Sequence, residues 1–224
     1  MTEPETGTEA GRASLDAALE NSSDGIDMDR PATVVSHDVV WRGVVFDVDD
    51  MAIDLNRHDG GATRIRRQIT RHRPCVVMLV HDEARDLYLM EREYRAGSDR
   101  YAHGLPAGLI DAGEDVETAA LRELAEETGV APDGPEAVAF DHVGAFYSSE
   151  GMSDELANIM VVHLKAWHAV ARHFDPDEHV ESAWVTFDRL RAAGVTSSNS
   201  EIAILHEALR RATRTRRENG ASNV

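Results

Sequence analysis

Three glutamates that share one predicted helix are the residues whose types and spacing could do chemistry: Glu123, Glu126 and Glu127. The pattern predicts that this helix begins after Asp115, a plausible N-cap, and ends near Thr128, before Gly129. At about 100° per residue, the three carboxylates fall within an arc of roughly 100°. The neighbouring arc carries apolar side chains that would face a core, namely Leu121, Leu124 and Ala125.

The crowding of these carboxylates is unfavourable unless something binds them. Like charges at i, i+4 destabilise a helix by roughly 0.2–0.5 kcal/mol per pair, and the helix dipole disfavours Glu126 and Glu127 in the last turn. A divalent cation would reverse both penalties, and Mg²⁺ prefers hard oxygen ligands completed by water and phosphate. The helix alone is equally consistent with a solvated acidic face.

The stretch from Gly108 to Val130 is more specific than the helix by itself. Gly108 is followed after five residues by Glu114, and after seven more by the run REL-x-EE-x-GV, which begins at Arg122. Motif specificity grows with each fixed position, and this stretch fills every defining position of the Nudix box. The chain therefore resembles a Nudix hydrolase. The resemblance implies metal-dependent hydrolysis of a nucleoside diphosphate linked to another moiety, on an α/β fold, an α/β/α sandwich around a mixed sheet.

The resemblance also assigns roles within this stretch. It places one to three Mg²⁺ or Mn²⁺ ions on the backbone carbonyl of Ala107 and the carboxylates of Glu123, Glu126 and Glu127. Two of these, Glu126 and Glu127, are also candidate catalytic residues. Glu114 and Arg122 would brace the loop against the helix through a charged pair. Gly108 would let the backbone come close to the substrate, since glycine has no Cβ.

Two further stretches resemble ADP-ribose pyrophosphatases within this family: Leu105–Gly108, read as LPAG, and the loop Gly151–Glu155, read as GMSDE. By that resemblance Glu155 is a candidate general base, with Glu126 as the other; a capping or surface acid after a glycine turn is the competing interpretation. Gly104 stands where the subfamily usually has an acid, and Glu150 where it has proline. Both departures weaken the assignment of the substrate.

Two arginines are candidate substrate contacts. Arg95 ends a predicted strand, Leu87–Arg95, whose Glu93-Tyr94-Arg95 resembles the Gln-Tyr-Arg of ADP-ribose pyrophosphatases. There the arginine lies near the substrate phosphates, although an exposed arginine at a strand end is an equally good interpretation. Arg67 is a weaker candidate. It begins a run that resembles the family's Arg-Glu-x-x-x-His, with Gln68 in place of the acid.

The remaining pattern divides the chain into four parts. Residues 1–33 are an acidic leader that we expect to be disordered, residues 34–73 a small N-terminal antiparallel sheet, residues 74–212 the Nudix domain, and residues 213–224 a flexible tail after an amphipathic helix over 199–212. Trp41 in the small sheet is expected to be a core residue. Nudix proteins that resemble ADP-ribose pyrophosphatases often dimerise through such a sheet, so a homodimer is expected.

The net charge of −18 disfavours two classes of partner. Nucleic acids and anionic membranes both need Lys and Arg to replace counterions, so neither is expected. Cys75 is the only cysteine and is expected to be buried, which excludes an internal disulfide. With no signal peptide or membrane-length apolar run, we expect a cytoplasmic protein.

ADP-ribose is the leading substrate, with AMP and ribose 5-phosphate as products. Within the enzyme class, another nucleoside diphosphate sugar is the alternative. A Nudix-fold protein that senses such a ligand without cleaving it is the alternative from another class, since fold alone does not fix function. Such sensors usually lose box acids and carry a DNA-binding domain, whereas this chain keeps every box acid and has little sequence after Ala212.

Overall fold

The computed structural model describes Leu19 and residues 25–174 and 179–221. Most of the expected acidic leader, residues 1–33, lies outside these ranges. The chain forms two compact units. The first contains the chain up to Arg73 together with Tyr147–Glu155, and the second contains Pro74–Phe146 and the chain from Leu156 onward. The segment Tyr147–Glu155, which we assigned by sequence to the Nudix domain, thus clusters with the N-terminal sheet.

The first unit is built on a three-stranded antiparallel sheet with the order β1-β2-β3, namely Thr33–Arg42, Phe46–Asn56 and Ala62–His72. A turn at residues 59–61 joins β2 to β3, and Gly60 adopts a φ of +82° there. Asp and Arg side chains pair across β2 and β3. Arg64, for example, donates two hydrogen bonds of 2.7 Å to Asp54.

The edge strand β1 is exposed along its whole length. Trp41, which we expected in the core, is 49% exposed and packs against Phe46, with ring centroids 5.1 Å apart. That expectation was wrong, because a three-stranded sheet leaves the side chains of its outer strand without a covering layer.

Ordered contacts begin before residue 33. Ile26 is buried and forms a bridge with Arg57 at the end of β2. The backbone N–H of Asp27 donates to the carbonyl of Asn56 at 2.8 Å, and the N–H of His58 donates to Gly25 at 3.1 Å. The chain from Gly25 onward is therefore part of the first unit.

The second unit contains the mixed sheet that the sequence led us to expect. Its strands run in the order β12-β5-β4-β10-β9, with β6 beside β5 and β7 beside β4. Their bounds are Cys75–Asp82 (β4), Leu87–Arg95 (β5), Arg100–Gly104 (β6), Ala107–Leu109 (β7), Val138–Tyr147 (β9), Leu156–Leu164 (β10) and Val180–Val185 (β12). Strands β4 and β10 are parallel, whereas β5, β6, β7 and β12 pair antiparallel with their neighbours. A separate two-stranded sheet joins β8 (Val130–Pro132) to β11 (Trp167–Ala169).

The core lies on both faces of the central strands. Every residue of β4 is buried, including Cys75, and β10 is nearly as apolar. Continuous apolar runs of this kind are typical of strands that are covered on both faces. Because successive side chains alternate across a strand, β4 contributes Val77 and Leu79 to one cluster and Val76 and Met78 to the other.

Three helices of the described part of the chain pack on this sheet. They are α1 (Val116–Glu123), which continues as a π-helical turn over Leu124–Thr128, α2 (Phe187–Ala192) and α3 (Ser198–Ala221). Helix α3 continues nine residues past Ala212, where we placed the start of a flexible tail. No helix in residues 25–174 or 179–221 combines the length and the apolar character that a membrane crossing requires.

Candidate active site

Helix α1 begins and ends where its capping residues predict. The Asp115 side chain accepts a hydrogen bond of 3.0 Å from the backbone N–H of Thr118, and Gly129 ends the π-helical turn with a φ of +70°. A π-helical turn inside a helix is uncommon and often marks a functional site. Here it carries Glu126 and Glu127.

The box glutamates differ in their exposure. Glu127 is buried at 3% exposure, whereas the side chain of Glu126 is 41% exposed and that of Glu123 is 13% exposed. We expected the helix to present all three carboxylates on the side that adjoins its packed side; in the structure Glu127 is instead buried. Glu127 lies inside the unit, where the backbone N–H of Ala107 points toward its Oε2 at 3.4 Å. The contact joins β7 to the box helix.

Gly108 makes room for Glu123. A Cβ added to Gly108 would lie 1.9 Å from the Cδ of Glu123 and 2.2–2.4 Å from its two carboxylate oxygens. Real Cβ atoms do not approach other atoms this closely. The absence of a side chain at residue 108 therefore lets the Glu123 carboxylate lie against the β7 backbone.

Arg122 joins the loop after β7 to the helix. Its Nε and Nη2 donate to the two oxygens of Glu114 at 3.0 and 2.9 Å, and Nη2 also donates to the carbonyl of Leu109 at 2.9 Å. Glu114 accepts a further bond of 3.1 Å from the N–H of Asp111. The Arg122 guanidinium, followed by this N–H, holds the pKa of Glu114 below its usual value, so the pair is ionised at neutral pH.

The same guanidinium contacts two box glutamates. Nη1 of Arg122 donates to Glu123 at 2.8 Å and to Glu126 at 3.1 Å. Bonding to Glu114 first, and then to Glu123 and Glu126, raises the pKa of Arg122 above its already high value. Arg122 thus partly neutralises the carboxylates that the helix crowds together.

The donor set suits a hard divalent cation. Carboxylate oxygens of Glu123, Glu126 and Glu127, with the carbonyl of Ala107, are the ligand types that Mg²⁺ and Mn²⁺ prefer. In the part of the chain that the structure describes, no group of three or more His, Cys, Asp or Glu side chains is arranged around a common point as metal ligands. Glu123 and Glu126 instead share the Arg122 guanidinium.

Glu155, the candidate base, belongs to the first unit rather than to the unit of the box glutamates. Its loop is attached to β3 by backbone hydrogen bonds. The N–H of Thr70 donates to Met152 at 2.8 Å, and the N–H of Asp154 donates back to Thr70 at 3.2 Å. The Glu155 carboxylate lies 3.4 Å from Nδ1 of His72.

The two candidate substrate arginines lie in different units. Arg95 ends β5 in the second unit, where it pairs with Glu93 at 2.9 Å, and 57% of its side chain is exposed. Arg67 lies in β3 of the first unit and donates to the carbonyl of Arg66 at 2.9 Å. Both are on exposed surface of their own unit.

Reasoning from the sequence did not identify several polar contacts that the structure shows. Gly104, which departs from the subfamily pattern, pairs in register with Glu91, a buried carboxylate on β5. His72 and Asp154 contact each other across 82 positions of sequence. The position of His72 at the end of the run from Arg67 was the only sequence signal for that contact.

Comparisons with known proteins agree with this geometry. The family model described as NUDIX domain matches residues 71–204, more than half of the chain. The ADP-ribose pyrophosphatase of Bacillus subtilis is 31% identical over 155 residues, which cover 69% of this chain and 78% of that protein. The methanol dehydrogenase activator of Bacillus methanolicus is 29% identical over 177 residues, or 75% of this chain and 89% of the relative.

A solved structure supports the fold. The crystal structure of an ADP compounds hydrolase superposes with a TM-score of 0.60 and covers 81% of this chain and 95% of its own, at 24% sequence identity. Together with the complete box and the mixed sheet, these matches show that the chain belongs to the Nudix family, as a diphosphate hydrolase similar to the ADP-ribose pyrophosphatases.

Proposed function

We propose that this enzyme hydrolyses ADP-ribose to AMP and ribose 5-phosphate with Mg²⁺ or Mn²⁺. The observation that carries the proposal is the similarity to a relative named ADP-ribose pyrophosphatase over most of both chains. The LPAG stretch of Leu105–Gly108 and the loop Gly151–Glu155 support it.

Three glutamates and one backbone carbonyl would hold the metal ion. Glu127, buried beside the N–H of Ala107, and Glu123, placed against Gly108, would hold the metal with the carbonyl of Ala107. Glu126 is the most exposed box acid and would complete the set. A divalent ion bound there would polarise the diphosphate and lower the pKa of a bound water.

Two further groups would act on the substrate and the proton. Glu155, or Glu126 in its absence, would accept the proton that the attacking water releases, because a positioned carboxylate can act as a general base. Arg95 would contact a phosphate through its guanidinium, whose planar donors match phosphate oxygens. Arg67 is the second candidate for that contact.

Two other functions follow from specific observations. Gly104 and Glu150 depart from the ADP-ribose pattern, which favours another nucleoside diphosphate sugar as the substrate. A relative that is named as an activator of another enzyme favours a binding role, in which the site would hold its ligand without turnover.

A hydrolysis screen with Mg²⁺ tests the proposal. The substrates are ADP-ribose, GDP-mannose, diadenosine polyphosphates and nucleoside triphosphates, with products identified by mass. The highest kcat/KM should be for ADP-ribose, with AMP as product. A higher value for another nucleoside diphosphate sugar would move the assignment to it, and binding of ADP-ribose without turnover of any compound would favour the sensor.

We further propose that the chain forms a homodimer through β1. Among the described residues, no strand pairs with the outer side of this edge strand. It exposes large apolar side chains: Val34, Val35, Val39, Val40 and Trp41. Long exposed apolar edge strands are sites where another chain adds. The net charge of −18 makes anionic membranes and nucleic acids poor alternatives for such a surface.

A further inference from the structure

The histidine that ends β3 faces the candidate base. Nδ1 of His72 lies 2.8 Å from the carbonyl oxygen of Arg73 and 3.4 Å from Oε1 of Glu155. The side chains of His72 and Glu155 are 15% and 29% exposed, respectively. Both belong to the first unit.

These contacts fix the tautomer of His72. The carbonyl of Arg73 can only accept a hydrogen bond, so Nδ1 of His72 must carry the proton. The same nitrogen lies 3.4 Å from Oε1 of Glu155, so the polar edge of the ring lies beside this carboxylate oxygen. Oε2, the oxygen on the other side of the carboxylate, is then the atom that we expect to take up a proton.

Asp154, the residue before Glu155, is held by two hydrogen bonds from β3. Asp154 accepts a hydrogen bond of 2.8 Å from the backbone N–H of His72 and one of 3.1 Å from Nη1 of Arg71. Arg71 in turn donates through Nε to Asp49 at 2.5 Å, and Asp49 is only 2% exposed. Asp49 also contacts His37 of β1 at 2.6 Å.

This chain of contacts reaches across all three strands of the sheet, from β1 through β2 and β3 to the loop. The backbone hydrogen bonds between Thr70 and the loop run in both directions. A loop tied at this many points loses little further entropy when it orders around a substrate. The side chain of Glu155 extends from this tied loop and has the ring of His72 3.4 Å from its Oε1.

We propose that His72 and Asp154 are positioning residues that fix the carboxylate of Glu155 for proton transfer. The inference rests on the proposed function, in which Glu155 is the general base. By this proposal the N-terminal sheet contributes to catalysis, because its strand β3 supplies the His72 ring and the Arg71 guanidinium that contact the loop. A misplacement of about 1 Å at a catalytic group can lower the rate by about 100-fold.

Substitutions at His72 can separate a positioning role from a structural one. His72→Asn keeps an amide N–H close to the place of Nδ1, whereas His72→Gln carries its amide farther out and His72→Ala has none. We expect kcat to fall about 10- to 100-fold in His72→Ala and His72→Gln, with KM nearly unchanged, and His72→Asn to recover most of it. His58→Gln is the matched control, since His58 is a partly exposed histidine of the same unit that lies 3.8 Å from Asp27.

A double-mutant cycle with Glu155→Gln tests whether His72 acts through the base. If it does, His72→Ala should lower kcat in the wild-type background and have almost no further effect in Glu155→Gln. Independent, multiplicative losses would overturn the inference, as would a wild-type kcat in His72→Ala. A Glu155→Gln enzyme with normal turnover would instead refute the base assignment of the proposed function.

Hydrogen exchange tests the role of Asp154 without a measurement of turnover. Asp154→Asn removes one of the two carboxylates that Arg71 contacts, the one that joins Arg71 to the loop. Hydrogen exchange of the amides in residues 148–155 should therefore speed up at least several-fold, while exchange in β4 stays the same. Unchanged exchange in this loop would overturn the positioning role of Asp154. Wild-type kcat in a folded Asp154→Asn variant would do the same.

Discussion

Gly108 and the carboxylate of Glu123 occupy adjoining space that leaves no room for a methyl group, since a Cβ on Gly108 would lie 1.9 Å from the Cδ of Glu123. The atom that would be displaced is the far end of a flexible side chain. The backbone can therefore stay in place while the carboxylate moves away from β7.

Gly108→Ala should consequently separate activity from stability. We expect kcat to fall about 100-fold because a proposed metal ligand is displaced by more than 1 Å, while the melting temperature changes by only a few degrees. Gly97→Ala is the control, because a Cβ there would meet no atom within 4 Å. A Gly108→Ala enzyme with normal turnover would show that the Glu123 carboxylate does not need this position.

Glu127→Gln tests the metal assignment. The substitution keeps the shape of a buried side chain and removes its charge, so the fold should persist while most of kcat is lost. Turnover at saturating Mg²⁺ and Mn²⁺ binding by electron paramagnetic resonance would both be measured. Glu117→Gln, on the same helix and exposed beside His142, should behave as the wild type. Near-normal turnover of Glu127→Gln in saturating Mg²⁺ would defeat the assignment.

The sequence predicted well the features that a few neighbouring residues determine. The cap at Asp115 and the stop at Gly129 each depend on a few neighbouring residues, and both are present. The bounds of β5 at Leu87–Arg95 agree as well, because a turn and the strand's own composition define them. The mixed sheet followed from a family resemblance and not from these local signals.

Long-range contacts are what the sequence could not predict. Trp41 looked like a core residue, but whether anything covers β1 depends on the tertiary arrangement and not on the strand itself. The hydrogen bond from His72 to Asp154 joins residues 82 positions apart, and no local pattern encodes such a pair. The burial of Glu127 also escaped prediction, because an ideal helical wheel does not include a π-helical turn.

Arg122→Lys should destabilise the second unit. A lysine has one ammonium in place of the planar guanidinium that bonds Glu114 through two nitrogens and also reaches Leu109 and Glu126. Since Arg122 is 29% exposed, solvent screening limits the loss of unfolding free energy to about 1–2 kcal/mol. Urea unfolding with equal m-values would measure it. Arg92→Lys, whose partner Glu181 is 72% exposed, should change stability by less than about 0.5 kcal/mol.

Val40→Lys should dissociate the proposed dimer. A lysine on an edge strand opposes pairing with another chain because its charge would have to be buried. Light scattering after size exclusion should give twice the chain mass of 24.6 kDa for the wild type and the single mass for the variant. Leu209→Lys, an exposed leucine of the second unit, is the control. A wild-type protein that is monomeric at micromolar concentration would refute the dimer.

Acid should destabilise the second unit through a buried histidine, His163 of β10, which lies opposite the buried His81 of β4. Nε2 of His81 lies 3.1 Å from Oδ1 of Asp86, and Nδ1 of His81 lies 3.1 Å from Nδ1 of His163. If His81 donates to the carboxylate of Asp86, its Nδ1 accepts and Nδ1 of His163 must donate. A proton added to His163 would place a positive charge in this buried contact, beside the ring of His81.

The direction of the pKa shift gives the sign of the pH dependence. Burial first, and then the charges of Arg210 and His81, lower the pKa of His163 in the folded state, and Glu207 and Glu83 only partly oppose them. A lowered histidine pKa means that the unfolded chain binds the proton more readily. The stabilisation is therefore complete above the unfolded pKa of about 6.5 and is lost as the pH falls through the lower folded value.

Urea unfolding at pH 7.5, 6.5 and 5.5 measures this loss. We expect the free energy of unfolding to fall by roughly 1 kcal/mol per pH unit below about pH 6.5, and His163→Asn to show a flatter slope even if it is less stable at every pH. The control is His103→Gln, which replaces an exposed histidine whose recorded hydrogen-bond partner in the described chain is the carbonyl of Ala193. The slope of this variant should match the wild type.

A His163→Asn slope equal to that of the wild type would place the acid sensitivity elsewhere, with Glu207 as the next buried group to test. Its lowered pKa, which hydrogen bonds from Arg210 and Tyr88 maintain against burial, would move the loss to below about pH 4.3.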